Sequence, residues 1–353
     1  MTDEVAKEWA PGAKKKAVEA AKTAAKQAAA QQTAVQAPQQ PPQAKPKAKV
    51  GFWRKAWAWV RLLRLEQWTK NGVVFVAFFF ALGDRAQQMQ GWHGTWRTGL
   101  LAAAAAVAFG VVASAVYILN DWEDREADAR HPVKRKRPIA SGEVRPGPAL
   151  ALAAVLALAG VAGGWWLAGP GVGAVLAGYL AMQIAYTLGL KRVPVLDVMI
   201  IAAGFVLRAV AGALAVHVVI SPWLLLCAFW LALFLALCKR RHEKAKLGGV
   251  ARAALAKYDK KMLDLSIAAT TAVTLVSYSL YTLWPDTVAK FGTTWLGATV
   301  PFVAYGLFRY LELVYSHDHG ERPEAVLLTD VPLIIDIVGF AAAVAAVFWF
   351  ARG

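Results

Sequence analysis

The sequence has almost no cysteine and little histidine, two of the first and six of the second in 353 residues. Cys227 and Cys238 fall in one apolar run. On a helix they stand about 16 Å apart along the axis, too far for a disulfide, whose Cα atoms lie within about 7 Å. They read as small core residues. His217 and His242 have no neighbour at metal-ligand spacing, which excludes a zinc centre. There is no Walker loop, dinucleotide glycine fingerprint or nucleophile elbow. Acidic residues are also scarce, 23 against 39 Lys and Arg, for a net charge of +16. The basic residues are scattered among apolar runs and form no nucleic-acid module, so nucleic acid is excluded as a partner. The first 50 residues are polar and carry no secretory signal.

Apolar runs dominate what remains. The chain is 58% hydrophobic, with a mean hydropathy of +0.42 and 15 Trp. Runs near 20 residues recur along most of it, which predicts an all-α polytopic membrane protein. Nine spans are predicted, at about 68–83, 96–119, 147–168, 171–190, 195–216, 221–239, 265–284, 292–313 and 331–351. Lys134 to Arg137, Lys191 and Arg192, Lys239 to Arg241, and Arg322 all fall in alternate loops. The positive-inside rule then makes the N-terminus and every basic loop cytoplasmic, and the C-terminus external. Residues 1–50, rich in Ala, Gln, Pro and Lys, read as a disordered basic tail. Residues 51–67 interleave Trp53, Trp57, Trp59 and Leu62 with Arg54, Lys55, Arg61 and Arg64, as in an interfacial amphipathic helix. Residues 68–353 form the nine-helix bundle.

The chemistry collects at the cytoplasmic ends of spans. Asp121, Asp124 and Asp128 stand three and four residues apart and share a face if the helix continues. Asn120 lies one turn before Asp124. Like charges so close repel unless a cation separates them. Oxygen donors with nothing softer suit Mg²⁺, which takes one or two carboxylates together with substrate phosphates. Lys134, Arg135 and Arg137 follow at once, a cationic cluster suited to phosphate. The pattern reads as a site for a metal-bound diphosphate. The alternative is a solvated, charge-mixed loop that sets topology.

Four more positions stand out. Lys70, beside Asn71, reaches an anion at the interface or snorkels to headgroups. Tyr186 and Lys191 precede Asp197, whose carboxylate near hydrocarbon demands a cation, either Lys191 or a metal. Arg208, halfway through a span, costs at least about 2.5 kcal/mol unless it faces a polar cavity. It is expected to hold a carboxylate or a phosphate, and Arg309, with Glu312 near it, is treated the same way.

These motifs together resemble the intramembrane prenyltransferase (UbiA) superfamily. The residues that carry the likeness are Gln67-Trp68-x-Lys70-Asn71, Asn120-Asp121-x-x-Asp124-x-x-x-Asp128 and His131-Pro132-x-Lys134-Arg135-x-Arg137-Pro138-Ile139-Ala140. Tyr186-x-x-Gly189-Leu190-Lys191, Leu207-Arg208-Ala209-Val210-Ala211-Gly212 and Gly320-Glu321-x-Pro323-Glu324 extend it. The likeness is closest to the bacterial decaprenyl-phosphate phosphoribosyltransferase branch. It implies nine helices with a cytoplasmic-side cavity and Mg²⁺ on Asn120, Asp121, Asp124 and Asp128. It also implies phosphoribosyl diphosphate as donor, polyprenyl phosphate as acceptor, and a role in cell-wall arabinan synthesis at the plasma membrane. Lys134, Arg135 and Arg137 would grip phosphate, and Tyr186, Lys191 and Asp197 would place the ribose 5-phosphate or its hydroxyls. Lys70 or Arg208 would meet the lipid phosphate. One departure matters: the usual second acidic motif has two aspartates, and here only Asp197 is acidic. A prenyl-diphosphate:aromatic prenyltransferase, a lipid or phosphate transporter and a non-catalytic lipid scaffold remain as alternatives, and a homo-oligomer is left open.

Overall fold

The apolar runs form helices because a backbone in hydrocarbon must satisfy its hydrogen bonds within its own segment. In a computed structural model the described residues are 52–247, 257–316, 326 and 329–352, with Glu19 and Lys22. The predicted tail therefore lies almost wholly outside the described residues, as do Arg252, Arg322 and the Gly320–Glu324 motif. The chain divides into two units, Met1–Gly51 and Phe52–Gly353.

In the second unit the helices are α1 (Phe52–Leu63), α2 (Val76–Ala81), α3 (Arg85–Met89), α4 (Trp96–Glu123), α5 (Arg125–Arg130), α6 (Pro146–Ala168) and α7 (Pro170–Leu188). They continue with α8 (Leu196–Ala215), α9 (Pro222–Leu247), α10 (Lys260–Leu283), α11 (Pro285–Phe291), α12 (Val300–Ser316) and α13 (Val331–Arg352). No strand occurs among the described residues. Seven helices, α4, α6, α7, α8, α9, α10 and α13, are long and apolar enough to cross a membrane, so the protein is a multi-pass membrane protein.

The other two predicted spans are composite. The first is a 3₁₀ segment, Leu65–Phe75, continued by α2. Its polar stretch Gln67 to Asn71, then Gly72 and two valines, gives weak support to an α-helix. The eighth is a 3₁₀ turn, Trp295–Thr299, followed by α12. Pro301 has no N–H to donate and is tolerated in the first turn, so the α-helix starts there.

Among the spans, α4 and α8 are the most deeply buried and α13 the least. The central pair carries the acids: Asp121 ends α4 and Asp197 begins α8. Small residues let the backbones approach. A Cβ on Gly160 of α6 would stand 3.2 Å from the Ala108 carbonyl of α4. Helix α1 packs into the bundle. Its Ala58 and Leu62 are buried against Ala115, Ile118, Ile139 and Val144, while Trp53 and Trp57 face outward. Arg61 pairs with Glu143, tying α1 to the loop before α6.

Candidate active site

Helix α4 stops at Asp124, where φ −83° and ψ 0° leave the α region, and α5 restarts at Arg125. The break does not scatter the acids. One nitrogen of Arg137 lies 3.1 Å from Asp121 Oδ1 and 2.5 Å from Asp128 Oδ2, so a single cationic group sits between the two carboxylates. Arg64 adds a second cation to Asp121. Lys191 Nζ lies 2.7 Å from Asp124 Oδ1. Thr187 Oγ1 stands 2.7 Å from Asn120 Oδ1 and 2.8 Å from the Gln183 carbonyl, one hydrogen shared between two acceptors. Asp121, Asp128 and Lys191 are buried. Buried charges persist when they are paired and hydrogen-bonded, and here each carboxylate has a cation.

The cations arrive from three places. Arg137 follows the 3₁₀ turn Lys134–Lys136, with its φ and ψ already extended. In that cluster Arg137 lies against Asp121 and Asp128, while Arg135 and Lys136 are exposed and Lys134 is half-buried. His131 braces the turn, its Nδ1 accepting the amides of Val133 and Lys134 at 3.2 Å. Lys191 lies on a 3₁₀ turn, Leu190–Arg192, between α7 and α8. Arg64 was not singled out as a site residue by the sequence. It takes the left-handed conformation, φ 48°, between α1 and the 3₁₀ segment, and lies over the Tyr117 ring at 5.3 Å. Burial lowers its pKa from the ordinary value, and the Asp121 carboxylate opposes that shift.

Asp197 finds other partners than the sequence suggested. Lys191 goes to Asp124, and Asp197 accepts Arg240 Nε at 2.8 Å and the Tyr258 hydroxyl at 2.7 Å. Arg240 also holds Glu243 at 2.6 Å. The Tyr258 oxygen accepts the Val195 amide at 2.6 Å. Val195 has φ 68° and ψ −50°. That γ-turn region is rare and strained, and for a β-branched residue costs on the order of 1–3 kcal/mol. Tyr186 is buried on α7, five residues before Lys191.

Arg208 is buried, as a mid-span arginine must be, but among the described residues it meets no carboxylate. Its Nε donates to Asn71 Oδ1 at 3.0 Å and a second nitrogen to the Gly204 carbonyl at 2.8 Å. Phe109, Tyr179 and Phe205 stack around it at 4.6 to 5.4 Å. Aromatic faces and carbonyls thus do the work expected of an anion. Asn71 is buried, and its Nδ2 has no partner among the described residues. Lys70 Nζ donates to Gln67 Oε1 at 2.7 Å. Arg309 holds Glu312 and Asp330, each at 2.8 Å.

Comparison with known proteins follows the same lines. The family model of the UbiA prenyltransferase family matches residues 73–329. The chain belongs to the UbiA prenyltransferase family. It is 32% identical over 300 residues to the decaprenyl-phosphate phosphoribosyltransferase of Mycolicibacterium smegmatis, covering 82% of this chain and 92% of that one. It is 35% identical over 279 residues to the protein of that description from Corynebacterium glutamicum, covering 77% and 80%. A solved UbiA homolog from Archaeoglobus fulgidus, bound to DMAPP and Mg²⁺, superposes with a TM-score of 0.62 at 17% identity, over 82% of this chain and 99% of that one. It shows that the fold is the UbiA fold. Asn120 to Arg137, Tyr186, Lys191 and Asp197 lie inside the residues matched by the UbiA family model; Arg64, Lys70 and Asn71 precede them.

Among the described residues no three His, Cys, Asp or Glu side chains converge as a metal set. The donors nonetheless suit Mg²⁺. They are oxygens only, and the point between Asp121 and Asp128 already holds a cationic nitrogen. Mg²⁺ takes few protein carboxylates when phosphate oxygens complete its shell.

Proposed function

We propose that this protein transfers the 5-phosphoribosyl group of phosphoribosyl diphosphate to a polyprenyl phosphate, decaprenyl phosphate in the named relatives, and releases diphosphate. The reading is supported above all by Arg64, Arg137 and Lys191, which come from three separate elements onto one acidic face. The names of the relatives, similar over most of both chains, support the same reaction. We infer nine crossings, counting the 3₁₀/α2 and 3₁₀/α12 pairs with the seven long helices. The active face is cytoplasmic, the C-terminus external and the membrane the plasma membrane, by the distribution of basic loops. Residues 1–50 serve as a basic tail, 51–67 as an interfacial helix and 68–353 as the catalytic bundle. Supply of pentose to a cell-wall arabinan is the role that fits such a product.

The acceptor phosphate is already anionic, so no strong base is required and positioning with charge neutralisation does the work. Asn120, Asp121, Asp124 and Asp128 would hold Mg²⁺, which when bound stabilises charge on the leaving diphosphate. The long side chains now resting on those carboxylates, Arg64, Arg137 and Lys191, are then free to grip phosphate oxygens, with Lys134 and Arg135 at the rim. Tyr186, Lys191 and Asp197 place the ribose 5-phosphate or its hydroxyls. Lys70 and Asn71 meet the lipid phosphate. Arg208 holds Asn71, and Arg309 is carried as a further anion contact. The C1–O bond to diphosphate breaks with oxocarbenium character at C1, and a lipid phosphate oxygen bonds to C1 from the opposite face. The second acidic position, closed by Arg240 and Tyr258, favours a sugar phosphate over a prenyl diphosphate as donor.

Purified protein in liposomes with labelled phosphoribosyl diphosphate, a polyprenyl phosphate and Mg²⁺ is expected to yield a labelled extractable lipid, and chelation to stop it. Label incorporated only from a prenyl diphosphate donor would transfer the case to the aromatic prenyltransferases. In the same assay Lys191→Ala is expected to raise the donor KM about tenfold or more, since a charge-assisted hydrogen bond contributes roughly 1.5–3 kcal/mol. An unchanged KM would make Lys191 structural.

A further inference from the structure

Tyr258 has no part in the transfer as described so far, yet its hydroxyl sits at a junction. It donates to Asp197 Oδ1 at 2.7 Å and accepts the Val195 amide at 2.6 Å. The ring is buried in the core cluster around α9 and α12, with Phe234, Leu263 and Tyr310. The residue stands two positions before α10, whose first turn is capped by Asp259.

What the hydroxyl holds is the turn that carries Lys191. Among the described residues, the backbone bonds made from Gly189 to Asp197 are local: Gly189 to Ala185, Arg192 to Gly189, Val193 to Leu190, Asp197 to Val193, and Met199 to the Val195 carbonyl. Val195, in the middle of it, adopts φ 68° and ψ −50°. A valine leaves that region unless something outside the turn over-determines it. The phenol does so from outside, since the Val195 N–H donates to it and Asp197 anchors the same oxygen two residues on. At the other end of the turn, Lys191 Nζ reaches Asp124 Oδ1 at 2.7 Å. The path runs from Tyr258, just before α10, through Val195 and the turn to Lys191 and to Asp124 at the end of α4.

We propose that Tyr258 is a positioning residue for the transfer reaction: its hydroxyl holds the Gly189–Asp197 turn in the strained conformation that delivers Lys191 to the acidic face. The proposal rests on the phosphoribosyl-transfer reading for its kinetic consequence, and on geometry alone for its structural one.

Tyr258→Phe keeps the ring in the core and removes only the hydroxyl. The turn then relaxes, Lys191 is misplaced, and the donor KM is expected to rise about tenfold, the equivalent of roughly one hydrogen bond, with kcat changed much less. The decisive variant is the double one. Glycine adopts positive φ without steric cost, so adding Val195→Gly to Tyr258→Phe is expected to restore the KM to within about threefold of the wild type. A Tyr258 that served only to pack the core would not be rescued from a distance by a glycine in the turn. Hydrogen exchange supplies a readout that needs no turnover: the Val195 amide is expected to exchange slowly in the wild type and fast in Tyr258→Phe. Fast exchange in the wild type overturns the proposal without any variant. So does an unchanged KM in Tyr258→Phe, or a raised KM that Val195→Gly leaves raised. A wild type that labels no lipid while its Val195 amide stays protected would sink the reaction reading and leave the latch standing.

Discussion

Asp124→Asn is expected to reduce transfer at least a hundredfold while leaving the amount of folded protein nearly unchanged. The asymmetry follows from what the carboxylate does in each state. In the structure Asp124 accepts Lys191 Nζ at 2.7 Å, and an asparagine keeps an oxygen able to accept that bond. The helix break at Asp124 is a backbone feature, φ −83° and ψ 0°, which asparagine adopts readily. What stability loses is the charge half of the Lys191 pair, at a carboxylate that is itself part-exposed. For transfer the charge is another matter. An amide is a poor ligand for a hard divalent cation, and a leaving diphosphate whose charge is less well neutralised departs slowly. Loss of one well-placed electrostatic contact in a water-poor site typically lowers kcat by about 10²–10³. The measurement is turnover in liposomes beside a melting curve for both proteins. Near-normal turnover would remove Asp124 from the metal and return it to the role of a simple counter-ion for Lys191.

The parts of this site legible in the sequence are those written locally. Asp121, Asp124 and Asp128 repeat at helical spacing where an apolar run ends, and Lys134 to Arg137 follow within one loop. Even there, the loop hides which cation turns inward: it is Arg137, because the 3₁₀ turn before it points Arg135 and Lys136 outward. Pairings between distant elements are not legible, because they depend on which helices pack together. Arg64 reaches Asp121 across 57 positions and Arg240 reaches Asp197 across 43. Asp197 and Lys191 are six residues apart and oppositely charged, so sequence proximity suggests a pair. The turn between them instead sends one side chain to α4 and the other to α9. Arg208 illustrates the same limit. Its burial follows from its place in a span, whereas its aromatic surroundings come from α4, α7 and α8 together.

Gly212→Ala should be the most damaging conservative change in the bundle. A Cβ built on Gly212 of α8 would stand 1.8 Å from the Val74 carbonyl oxygen and 2.7 Å from its carbon. The C···O contact distance is about 3.3 Å. The obstacle is backbone, so no rotamer change relieves it; either α8 or the 3₁₀ segment must move by more than an ångström. Overpacking of this kind costs about 3 kcal/mol, which for a chain this size lowers the melting temperature by roughly 4–5 °C. Gly163 of α6 is the matched comparison, with nothing within 4 Å of its would-be Cβ. Gly163→Ala is expected to melt at or slightly above the wild type, since alanine is the better helix former by up to about 1 kcal/mol. Equal melting temperatures for the two variants would mean that α8 and the 3₁₀ segment do not touch as described. The consequence also reaches the site. The displaced segment carries Lys70 and Asn71, and Asn71 is tied to α8 a second time through Arg208 at 3.0 Å. A shift at Val74 therefore strains the Arg208 contact as well, so the Gly212→Ala protein that does fold should show a raised KM for the lipid acceptor rather than for the sugar donor.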